Sequence, residues 1–147
     1  MKRKIKFRGK RNNDNRWTYG GAVGNWNNCT FIIPDDSFSF SCNGSDIDFD
    51  VDYVLPETVG QFTGLHDKNG KEIYEHDIVI LNEPEPYNYV DCLIKYENAT
   101  ASFCLIALYD DCSIYELYKK GTVMSLYIPI EKIEVIGNIH ENKDLLK

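Results

Sequence analysis

Long hydrophobic runs are missing from these 147 residues, and no stretch approaches the ~18 apolar residues of a membrane-spanning helix. Met1 is followed at once by Lys2 and Arg3, with no apolar segment of the kind that directs secretion. The five cysteines (Cys29, Cys42, Cys92, Cys104, Cys112) are odd in number, and no two are spaced as C-x-x-C. A disulfide framework and a cysteine-ligated metal both fit poorly. The expectation is a cytoplasmic protein with reduced thiols and no membrane contact. Internal repeats and low-complexity tracts are absent as well. No G-x-G-x-x-G phosphate cradle leads into a helix, so Gly60, Gly64, Gly70 and Gly137 read as turn and close-approach positions. No Ser, Cys and His set forms a nucleophile. No catalytic residue, cofactor or metal is therefore assigned.

Basic residues are scarce beyond the first 16 positions. Those positions hold eight Lys and Arg against Asp14 alone, whereas the remainder carries a net charge of -14. A basic arm on an acidic body calls for a partner-based explanation, including head-to-tail association into a homo-oligomer.

Apolar and aromatic residues are plentiful. With 43% hydrophobic residues, ten Tyr and seven Phe, the chain is globular and favours strands. Lys4 to Arg8 alternates with period two and pairs, across a polar turn, with Trp17-Thr18-Tyr19, which sets the basic residues on the outward face. Gly20-Gly21 and Gly24-Asn25 mark a bend, and Cys29 to Ile33 makes a strand stopped by Pro34. Phe38 to Phe40 is a weaker strand candidate. From Asp46 to Tyr53 the alternation sends Ile47, Phe49, Val51 and Tyr53 one way and Asp46, Asp48, Asp50 and Asp52 the other. Asn69-Gly70 stands between two apolar runs as a hairpin turn. Further strands are expected at residues 77–81, 90–96, 102–108, 122–128 and 133–139. Ser113 to Glu116 matches a capping box, and 142–147 suits one helical turn. The fold class is mainly β, with short antiparallel strands and few or short helices.

Six segments resemble the YopX family of small phage and prophage proteins. They are Glu57-Thr-Val-Gly-Gln-Phe-Thr-Gly-Leu65, Asp67-Lys-Asn-Gly-Lys-Glu-Ile-Tyr-Glu75 with Asp77-Ile-Val79, and Glu134-Val-Ile-Gly-Asn-Ile-His-Glu-Asn142, with Ile5-Lys-Phe-Arg8 and Trp17-Thr-Tyr-Gly20 at the start. The resemblance implies an N-terminal β lobe, residues 1–56, and a small SH3-like barrel region, residues 57–147, sharing one core with it. It also implies a phage accessory protein in a bacterial cytoplasm, and it supplies no catalytic residues. His76 stands where the family usually has Gly, so a left-handed backbone is expected there under some strain.

Candidate sites follow from charge. Carboxylates at Asp46, Asp48, Asp50 and Asp52 repeat every ~7 Å and approximate a strand of phosphates, so they could mimic nucleic acid; the plainer reading is a solvated strand face. Positions 46, 48, 50 and 57 match calcium-loop spacing, but Val51 occupies the place of the required Gly. Lys4, Lys6 and Arg8 could meet phosphates, with Phe7, Trp17, Tyr19 and Trp26 for stacking; against that, Phe7, Trp17 and Tyr19 sit where a strand core wants them. His66, His76 and His140, each beside an acid, read as surface histidines in turns. The leading expectation is a non-enzymatic module that binds a host or phage protein. The alternatives are weak nucleic-acid binding by the basic arm and β-barrel, and a small-molecule-binding barrel with its cleft beside His66 and His76.

Overall fold

The alternation at the start of the chain becomes a paired ladder in the computed structural model, which describes residues 2–37, 50–82, 89–109, 123–126 and 130–146. Contacts divide the chain into two units, Met1–Phe62 and Thr63–Lys147. In the first unit the strands are β1 (Phe7–Lys10), β2 (Trp17–Trp26), β3 (Cys29–Pro34), β4 (Asp52–Val54) and the start of β5 (Gly60–His66). Their order is β4-β3-β2-β1-β5, antiparallel throughout. Strand β2 continues unbroken through the glycines that suggested a bend. A Cβ on Gly20 would lie 1.9 Å from the Ile33 carbonyl oxygen, so the bare backbone lets β3 pass and the register slips between Gly20 and Ala22. The chain reverses instead at Asn27 and Asn28, whose φ angles of 47° and 62° suit a tight hairpin turn.

The first unit ends later than residue 56. A 3-10 turn at Pro56–Thr58 places the Thr58 hydroxyl to accept the Lys10 N–H at 2.8 Å, and Gly60 pairs with Arg8. These bonds hold residues 57–62 to β1. Under the sheet, Ile32 (0% exposed) and Val54 (1%) reach to within about van der Waals contact of Gly9, where a Cβ would stand 3.1 Å from each.

In the second unit β5 continues and neighbours β6 (Glu72–Tyr74). A five-stranded antiparallel sheet follows, ordered β10-β9-β8-β7-β11 and built from β7 (Asp77–Asn82), β8 (Tyr89–Glu97), β9 (Ser102–Ala107), β10 (Val123–Ser125) and β11 (Ile133–Asn138). Its alternate residues Val79, Leu81, Val90, Cys92, Ile94, Leu105, Ile133 and Val135 gather with Ile73 and Leu126 in one cluster. Each fully buried aliphatic side chain there contributes about 1.5–3 kcal/mol. The SH3-like barrel is corrected to an open sheet. Closure needs the two edge strands to pair, and among the described residues β10 has three residues bonded to β9 while β11 bonds to β7.

Helical structure is limited, among the described residues, to 3-10 turns at Pro56–Thr58, Ile130–Lys132 and Lys143–Leu146. No described helix is long and apolar enough to cross a membrane. The expected capping box at 113–116, the strand at 38–40, and Asp46 and Asp48 lie outside the described residues.

Candidate functional site

Strand register sorts the first unit's side chains onto two faces. Lys6, Arg8 and Lys10 alternate with Gly9, so they lie on the face turned away from Ile32 and Val54. Trp17 and Tyr19, opposite Lys10 and Arg8, share that face. The Lys6 ammonium sits 5.3 Å from the centre of the Tyr19 ring, and Trp17 lies between the Arg8 guanidinium (4.7 Å) and the Lys10 ammonium (5.4 Å). Such cation–π contacts are worth about 0.5–2 kcal/mol each. The outward basic ladder is therefore corrected in part. Arg8 and Lys10 are buried, because the indole ring stacks on them, whereas Lys4 stays exposed and Lys6 half-buried.

Further along the same face the rings of Trp26 and Tyr53 are exposed and that of Phe31 is half-buried. Phe31 lies over Gly24, where a Cβ would be 2.5 Å from the ring, and meets Tyr53 edge-on at 6.5 Å between centroids. Trp26, two residues on from Gly24, shares the face at the hairpin tip. Trp26 is 73% exposed, Tyr53 53% and Tyr19 41%. The sequence placed Tyr53 inward and Asp52 outward, and the structure reverses them. Val54 is the residue that fills the core, so period two sends Asp52 to its side and Tyr53 to the solvent side.

Asp52 is thereby engaged within the chain. Its carboxylate accepts the Thr18 hydroxyl at 2.5 Å and stands 3.9 Å from the Arg11 guanidinium. Asp50 is exposed and precedes β4, so these two carboxylates do not continue as one solvent-facing row. Arg11 also pairs with Asp14. An open cleft of about 400 Å³ beside this group is lined by Arg11, Asn12, Asn13, Val51, Asp52 and Tyr53.

In the second unit the turn positions carry most of the polar detail. Asp67, 3% exposed, holds the Asn69-Gly70 hairpin: its Oδ1 accepts the N–H groups of Asn69 (2.8 Å) and Lys71 (2.9 Å), and Oδ2 accepts that of Val135 (3.0 Å). Burial pushes its carboxyl pKa up, but the three N–H donors, with the Lys71 charge, outweigh that and the pKa is lowered. Gly64 and Gly70 have φ of 92° and 81°. Gly60 is buried, and Asn69 is exposed at the turn. Gly137 admits the Asn142 side chain, whose Oδ1 accepts the Asn138 N–H at 3.1 Å. The Asn138 Oδ1 in turn accepts from His140 N (3.0 Å) and Glu141 N (3.1 Å). Sequence reasoning passed over Asp67 and Asn138. An acid or Asn two residues ahead of a turn amide was the available signal.

His76 has φ of 71°, the left-handed backbone expected for it. Its N–H donates to the Ile94 carbonyl at 2.9 Å, and its carbonyl accepts the Ile139 N–H at 3.1 Å. This locks the turn between β6 and β7 against β8 and the end of β11. The side chain reaches His140, and His66 is exposed at the end of β5. Among the described residues no three His, Cys, Asp or Glu side chains gather as a metal-holding group.

The fold and its exposed face define a small antiparallel β protein of two units. The YopX protein family model matches residues 6–147, and the chain belongs to that family. The crystal structure of protein EF1440 from Enterococcus faecalis aligns over 97% of this chain and 98% of that chain, with a TM-score of 0.51 at 24% identity, a likeness of fold. Comparison with curated proteins found no match.

Proposed function

We propose that this protein is a non-enzymatic interaction module, made by a phage or prophage in the cytoplasm of its bacterial host. Its contact surface is the aromatic face of the first unit, and its occupant is a protein, from host or phage, with an apolar groove rimmed by acids. The carrying observation is the exposure of Trp26 and Tyr53 on one sheet face, 73% and 53%. Large amphipathic rings of this kind supply contact area at low entropic cost and dominate binding energy when desolvated. Charge complementarity supports the acidic rim, because Lys2, Arg3 and Lys4 are exposed in the same unit. Nucleic-acid mimicry by the acidic row receives less support, since Asp52 is bound to Thr18 and Arg11.

The test is capture of partners from host lysate at low and high salt, with nuclease-treated controls, comparing wild type with W26A/Y53A. A protein recovered at both salts and lost with the double variant supports the reading; capture unaffected by the substitutions overturns it. A second reading, single-stranded nucleic-acid binding, is favoured by the exposed Tyr19 ring under Lys6. It predicts recovery of nucleic acid alone, weakening steeply with salt.

A further inference from the structure

We propose that His76 and His140 form a two-imidazole site for a divalent transition ion of the zinc type. The proposal lies outside the interaction reading and does not depend on it. His140 Nε2 and His76 Nδ1 are 3.3 Å apart, and the ring centroids are 5.2 Å apart at 78° between planes. Two imidazoles on one tetrahedral zinc, each nitrogen at ~2.05 Å from the metal, have nitrogens ~3.3 Å and ring centres roughly 5.2 Å apart. A straight N–H···N line between the rings would instead separate their centres by roughly 5.6 Å. The observed separation matches two lone pairs aimed at a common point more closely than it matches a straight hydrogen bond.

Two further observations point the same way. The other ring nitrogen of His76, Nε2, faces Glu75 Oε1 at 3.9 Å, inside ion-pair range but longer than a hydrogen bond, so the carboxylate must close by less than about 1 Å to engage it. A ligating histidine commonly turns its second nitrogen to a carboxylate, which fixes the tautomer and raises the basicity of the ligating nitrogen. His76 also adopts a positive φ, a conformation that costs a non-glycine residue backbone energy. A strained position occupied by a metal-ligating side chain, rather than by the residue the backbone prefers, gives that side chain a use. The His76 side chain is 24% exposed, so an ion has a path to it.

Two protein ligands leave the remaining coordination positions to water. In the metal-free protein the two rings share an N–H···N hydrogen bond; the ion takes the place of that hydrogen, which moves to the donor ring's other nitrogen, so two neutral imidazoles ligate with no net release of a proton.

The experiment is thermal melting of the whole, metal-stripped protein at about pH 7.5 with zinc chloride or magnesium chloride added, since ligands of the native state raise its melting temperature. Wild type is expected to gain melting temperature with zinc and not with magnesium. H76G and H140Q are expected to lose the gain. H76G also relaxes the left-handed backbone, so its own metal-free melting temperature should match or exceed that of wild type and failure to fold will not mask the result. E75Q should keep the effect but need about tenfold more zinc. No zinc-dependent gain in wild type, or a gain retained by H76G or H140Q, overturns the site and leaves a hydrogen-bonded histidine pair.

Discussion

Asp67 shows how one carboxylate can replace a stretch of secondary structure. It takes three backbone N–H groups, two from its own turn and one from β11, across 68 residues of sequence. Asp67→Asn would turn a carboxamide N–H toward the Val135 N–H, and is expected to cost about 1–3 kcal/mol in urea unfolding. The pH dependence follows from the lowered pKa. The unfolded chain takes up the proton first, so the contribution of Asp67 is complete above about pH 4 and is lost as pH falls through the folded pKa. The stability gap between wild type and D67N should accordingly narrow below about pH 4. Cys92 moves the other way: burial, with the nearby Asp91 charge, pushes its thiol up to about 12. Alkylation at about pH 8 should label the exposed Cys29 and leave Cys92 unreacted until the protein unfolds.

At the scale of elements, the strands depend on a few positions where a side chain cannot fit. Gly20→Ala would drive a methyl into the Ile33 carbonyl and force β2 and β3 apart. We expect a loss of about 3 kcal/mol by chemical denaturation, with Gly21→Ala, whose Cβ would meet only Asp35 Oδ1 at 3.5 Å, within about 0.5 kcal/mol of wild type. Gly137→Ala would push out the Asn142 side chain and free the Asn138 N–H. The expected cost is about 1–2 kcal/mol, together with faster amide exchange at Asn138.

For the whole molecule, the aromatic face and the buried clusters answer to different experiments. Trp26→Ala removes an exposed ring at a hairpin tip. It should leave the melting temperature unchanged while reducing partner capture at least tenfold, the pattern of an interaction residue rather than a core residue. Charge acts at the same scale: the exposed Lys2, Arg3 and Lys4 belong to a basic arm within a chain of net charge -7. Reversing them to Glu should slow association and flatten its salt dependence more than it changes dissociation.

Period-two alternation, turn residues and the family motifs made the β class, most strand positions and the Asn69-Gly70 hairpin legible in the sequence, because these are local rules of backbone geometry. The left-handed backbone at His76 was legible only through the family resemblance, which implied a glycine-like turn position there. Face was harder. Alternation says that Asp52 and Tyr53 point opposite ways, but which one points inward depends on Val54 meeting Gly9 and Ile32, a contact across the sheet. The burial of Arg8 and Lys10 likewise needed Trp17 to be laid over them by register. The approach of His76 to His140, 64 residues apart, was set by two backbone hydrogen bonds that no spacing rule contains. Local geometry is written residue by residue, whereas the choice of face and the meeting of distant side chains is made by whichever packing buries the most apolar surface.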